Sequence, residues 1–229
     1  METDHNAAPL NPLPWVVWLL VLPMAGFEVA FSLGAAGLVG GPEAVGWRLN
    51  EAAATYGFYP ARFRDMLANQ LYLPGDLLRF VSYTFIHYSF VHALFAVVMT
   101  LALGKAVGEV FRAWAVLVVF FAASAVGALV YGFLGNSGIP LLGAFPAIYG
   151  LVGAFTFLIW VNLARVGANK LRAFSLIGFL LFAQLLFGVL FGGSYDWAAV
   201  IAGFATGFGV SFIVSPGGWG RALAQIRGR

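Results

Sequence analysis

Six apolar runs dominate this 229-residue chain: Trp15–Leu38, Phe80–Leu103, Ala113–Phe133, Pro146–Asn162, Phe174–Phe191 and Trp197–Val214. A helix needs about 20 predominantly apolar residues to cross a hydrocarbon core about 30 Å thick, so six crossings use about 120 residues. What is left is one long loop, short connections and two tails, with no room for a second soluble domain. Charged residues make up only 9% of the chain, against roughly 25% in a soluble domain. Such a chain cannot coat a water-facing globule. The reading is an all-α integral membrane protein whose first partner is the lipid bilayer. The same composition excludes a disordered chain, a disulfide scaffold and a nucleic-acid binder with a dense Lys/Arg groove. With no cysteine, thiol catalysis and thiolate metal sites are excluded as well.

The twelve basic residues predict orientation. Lys105 and Arg112 follow the second run, Arg165, Lys170 and Arg172 the fourth, and Arg221, Arg227 and Arg229 the sixth. The connections after the third and fifth runs carry none. By the positive-inside rule both termini are expected in the cytoplasm, and the basic C-tail suits an anionic inner leaflet. Arg48, Arg62, Arg64 and Arg79 fall in the long first loop, where the rule is weaker. The expected organisation is an N-tail at 1–14, a membrane domain at 15–214 and a basic tail at 215–229. The N-tail lacks Lys and Arg and the first run is long, so a cleaved signal peptide is not expected. A compact Ala/Gly-rich chain of this kind suits a bacterial inner membrane.

Two segments have patterns of their own. In the first loop, Phe63, Met66, Leu67 and Leu71 recur at helical spacing between Arg62, Arg64, Asp65 and Asn69. With Trp47, Tyr56, Phe58 and Tyr59 they read either as a helix lying in the interface plane or as a helix packed on the bundle. The fourth run, Pro146–Asn162, is short for a full crossing at 1.5 Å per residue. It follows a stretch, Gly135–Phe145, that is apolar but broken by Gly and Pro. Irregular backbone survives at membrane depth only where protein or a water-filled cavity surrounds it. The fourth helix is therefore expected to start inside the membrane, at a cavity floor.

Three stretches then carry a resemblance. Arg79-Phe80 through His87-Tyr88-Ser89-Phe90-Val91-His92, with Gly104 and Glu109, forms the first. Gly143-Ala144-Phe145-Pro146-Ala147-Ile148-Tyr149-Gly150-Leu151-Val152-Gly153-Ala154 forms the second, and Asp196-Trp197 through Gly203-Phe204, with Gly207, the third. In this order they resemble the second, fourth and sixth spans of the rhomboid family of intramembrane serine proteases. That resemblance implies a six-transmembrane-helix bundle and a lateral opening between the second and fifth helices. It also implies a Gly-x-Ser-Gly nucleophile, a sixth-span histidine base and an oxyanion-hole asparagine. At the corresponding positions this chain has Phe145, Val200 and Ala96. His92, Tyr149, Gly143 and His87 read as what remains of the site. Serine needs an adjacent base to become a nucleophile, and neither a phenyl ring nor an isopropyl group supplies a hydroxyl or a titratable nitrogen. The resemblance thus implies a pseudoprotease, without cofactor or metal, that binds transmembrane helices of client membrane proteins. Gln184 and the pair Gly192-Gly193 would belong to its fifth-span gate and cap.

Other candidates compete. A second Gly-x-Ser-Gly, Gly135-Asn136-Ser137-Gly138, lies eight residues before Phe145-Pro146, and no histidine lies beyond His92 to serve Ser137. It reads as a turn, with an active serine protease as the alternative. On one helix, His87 and His92 would point about 140° apart, which disfavours a shared metal. Glu28, ionisable within the first run, suggests together with His87 and His92 an ion or small-molecule pathway, or else has a partner inside the bundle. Asp196 reads as an anchor for the start of the sixth span, and Trp15, Trp18 and Trp197 as interfacial anchors. Ala199, Gly203 and Gly207, and likewise Gly150 and Ala154, recur every four residues. Small residues at that spacing let helix backbones approach closely in lipid, so the fourth and sixth helices are expected to pack there.

Overall fold

The computed structural model describes residues 12–135, 138–181 and 196–217. Among the described residues, five helices are long and apolar enough to cross a membrane: α1 (Trp15–Ala35), α5 (Phe90–Gly108), α6 (Ala113–Leu134), α7 (Phe145–Arg165) and α9 (Asp196–Val214). Between α1 and α5 lie the short helices α2 (Ala53–Tyr56), α3 (Pro60–Asn69) and α4 (Pro74–Ser82). The fifth apolar run begins as a helical stretch at 175–181, α8, and its remainder, with Gln184, Gly192 and Gly193, lies outside the described residues. Ser137 and the tail arginines Arg221, Arg227 and Arg229 lie outside them too.

Two spans differ from their sequence expectation. The second starts at Phe90 rather than Phe80, because residues 80–89 end α4, pass through a 3-10 turn at Tyr83–Phe85 and break. Ser89 makes the new start: its side chain accepts the His92 amide as an N-cap, satisfying a donor that the first turn leaves unpaired. The fourth span has 21 residues rather than 17, about 31 Å at the helical rise, so it is not short. Asn162 does not stop it; its carbonyl accepts the amide of Val166 beyond the last turn.

The long loop folds onto the bundle. Phe63 and Met66 are buried, with Phe63 among Phe58, Phe80 and Phe133, while Leu67 and Leu71 stay exposed. The packed reading of α3 therefore describes its inner face. Its arginines have structural partners. Arg64 donates to the carbonyls of Gly132, Phe133 and Gly135, which end α6, and a cation there also complements the helix dipole. Arg79 donates to Ala54 and Gly57 carbonyls and lies 3.4 Å from Asp76. Arg62 faces the same Asp76 at 3.6 Å. Bound to the fold in this way, these charges have little to say about orientation.

Helices α6, α7 and α9 form the tight centre. A Cβ added at Gly207 would overlap the carbonyl of Gly150, and one at Gly203 the carbonyl of Pro146. Gly150 in turn is pressed on Ala123 of α6, and Gly153 on the backbone of Phe204. Ala199 presents its carbonyl to Gly127, 3.1 Å from where a Cβ would stand, and Ala154 is fully buried. Backbone contact of this closeness gains dispersion energy that bulkier residues would forfeit.

Candidate functional site

The backbone between α6 and α7 is irregular yet hydrogen-bonded. Phe58 and Leu141 exchange both backbone bonds, at 3.3 and 2.8 Å, and the Gly143 amide donates to the Tyr83 carbonyl at 2.9 Å. Hydroxyls of Tyr88 and Tyr131 donate to the carbonyls of Pro140 and Ile139. These bonds give partners to the carbonyls of 139–141 and the amides of Leu141 and Gly143, which lowers the cost of placing irregular backbone beside apolar helices. The segment leads directly into the first turn of α7.

Gly143 is the pivot. Its φ of +97° is a region that residues with a Cβ rarely adopt, and a Cβ there would lie 2.6 Å from His92 Cε1 and 3.3 Å from His87 Cδ2. The glycine lets the chain pass against both imidazoles. His87 precedes α5 rather than sitting on it, so the 140° separation expected on a shared helix does not apply. The rings meet at 5.3 Å between centroids, edge to face. His87 is buried with its Nε2 unpartnered among the described residues. The His92 Nδ1 accepts the Tyr88 amide at 3.3 Å, which assigns the ring proton to Nε2 when the imidazole is neutral. Among the described residues no group of three His, Asp or Glu stands together to hold a metal.

Phe145 covers His92. Their rings stack at 4.9 Å with only 6° between planes, and Tyr88 lies on the same imidazole at 5.8 Å and 28°. These rings border a cavity of about 360 Å³, whose lining includes Tyr88, His92, Phe145, Tyr149, Asp196 and Val200. Met99 from α5 and Leu180 from α8 also line it. Ala96 is fully buried in the apolar core and is not part of the lining. No Ser, Thr or Lys lines the cavity among the described residues. Ser89, the nearest hydroxyl in sequence to His92, is engaged by the backbone as the cap. Asp196 starts α9 beside the Tyr131 hydroxyl.

Glu28 is held apart from this cavity. Both its oxygens accept from Arg48, at 2.6 and 2.7 Å, and Ser32 donates to it at 3.2 Å. The same guanidinium donates to the His87 carbonyl at 3.1 Å and lies over the Phe31 ring. Thus α1, the first loop and the histidine turn are joined through one side chain. Sequence reading named Glu28 without its partner. The available signal was an arginine in a long loop next to a span holding a carboxylate. Tyr88 and Ser89 were also missed as site residues, since their roles depend on where α5 begins.

No curated protein matches the chain. The Rhomboid domain family profile matches residues 74–217, more than half of the sequence. The match runs from the start of α4 to the turn after α9, so it contains the histidine pair, Gly143, the cavity and the close-packed helices alike. With its apolar helices, this integral membrane protein belongs to the rhomboid family.

Proposed function

We propose that this rhomboid-family chain is a catalytically silent member that holds transmembrane segments of other membrane proteins. The observation that carries the reading is the Phe145 ring lying flat on His92, at the position where the family's signature has its serine. Val200, lining the same cavity, stands where the family's signature has a histidine. Removing the nucleophile or base of a serine protease costs on the order of 10⁶ in turnover. The cavity is bordered by Met99 of α5 and Leu180 of α8, which supports entry of a client helix between the second and fifth spans. Inside, the client meets aromatic rings and a few polar groups, suited to packing and hydrogen bonding rather than bond cleavage. Both termini face the cytoplasm, and the setting is a bacterial inner membrane.

The ion-pathway alternative needs Glu28 open to a passing ion, whereas Arg48 occupies both of its oxygens. Two measurements test the proposal together. A fluorophosphonate probe on the membrane-embedded protein should label no serine. A photoreactive residue replacing Phe145 should crosslink to transmembrane segments in native membranes. Covalent labelling of any serine, Ser137 included, overturns the silent reading, and crosslinks to lipid alone overturn the client.

A further inference from the structure

At the opposite end of the bundle, α5 ends and α6 begins, and α7 and α9 finish. Pro14 packs near Gly108 there, and Trp160 meets Phe212 edge to face and carries Lys170 over its ring. A second cavity of about 300 Å³ lies at this end, lined by Arg112, Trp114, Ile213, Val214 and the turn Ser215–Gly217. It is unlike the first. One wall is a guanidinium that makes no ion pair among the described residues. Another is an indole 52% exposed, and the third is the aliphatic edge of Ile213 and Val214. The α6 helix starts beside Arg112 with no acidic residue in its first turn and no side-chain cap, so its dipole adds positive potential at the same place.

A cation, an indole and an aliphatic wall side by side at a helix end match a lipid at the level where headgroup meets acyl chain. We propose that this cavity binds an anionic phospholipid, its phosphate against Arg112 and its first methylenes along Trp114 and Ile213. Charge decides the class: Arg112 attracts a headgroup that is net negative more than one whose phosphate is balanced by its own ammonium. The inference is independent of what the His92 cavity does.

The full chain in phosphatidylcholine nanodiscs, titrated with brominated phosphatidylglycerol or brominated phosphatidylcholine, tests it. The signal is the Trp114 fluorescence, taken as the difference between the chain and its Trp114→Phe variant. Half-quenching should need about fivefold less phosphatidylglycerol than phosphatidylcholine. Arg112→Gln should abolish that preference, while Arg112→Lys and Arg165→Gln keep it. Equal quenching by the two lipids overturns the proposal, as does a preference that survives Arg112→Gln. Inorganic phosphate that erases the preference at constant ionic strength would mark a free-anion site and overturn it too.

Discussion

Helix α7 is treated in two ways along its length. In its first turn, Phe145, Pro146 and Tyr149 face a cavity of about 360 Å³. One to two turns further on, Gly150 and Gly153 are pressed so closely on α6 and α9 that no Cβ fits. The seam has no spare volume, whereas open space of about 360 Å³ lies beside the Phe145 ring. The difference teaches where sequence can drift. A close-packed backbone contact constrains residue size, because overlap of hard atoms cannot relax. A cavity beside it leaves residue size free.

The sharpest way to break the comparison is to load the seam. Gly207→Val should cost about 3 kcal/mol or more, read as loss of the folded protein in detergent thermal unfolding. A variant that unfolds like the parent would show that the seam is looser than its geometry. Next in size is the buried pair. Arg48→Met leaves the Glu28 carboxylate inside the bundle without its cation and should destabilise by about 3–5 kcal/mol. The double variant Glu28→Met with Arg48→Met should recover most of that loss, and a double-mutant cycle on unfolding free energies measures it.

The cavity should respond differently. Phe145→Ser, Pro146→Gly, Ala96→Asn and Val200→His combined should remain folded and gain measurable cleavage of a reporter transmembrane helix, scored by product bands. A folded but wholly inactive variant would break the positional correspondence at Phe145 and Val200. The smallest effect belongs to the cap: Ser89→Ala should cost about 1 kcal/mol. Its signature is faster hydrogen exchange at the first amides of α5, with the seam unchanged.

Much of this was legible because membranes simplify the reading. The bounds of α1, α6 and α9 follow from run length and hydropathy, since lipid gives every backbone group a partner only inside a helix. The four-residue recurrence of small residues pointed to the faces that α7 and α9 now present to each other. What misled was continuity of apolar character. Residues 80–89 read as part of a span because nothing in their hydropathy marks the turn that Tyr83–Phe85 makes, or the cap at Ser89. The fourth run reads as short because polar residues begin at Asn162, although a helix emerging from lipid can continue into the interface.

By itself, the sequence determined a membrane-spanning all-α chain and the residues from which its family could be recognised; that Phe145 and Val200 stand at the family's catalytic positions belongs to the proposal. Those conclusions need only local order along the chain: hydropathy, spacing and residue type. The tertiary structure alone decided that His87 and His92 meet, that Phe145 lies flat on one of them, and that Arg48 reaches Glu28. Each of these joins side chains from separate turns or segments whose distance depends on how the helices pack, and packing is set by the whole set of contacts rather than by any stretch of sequence.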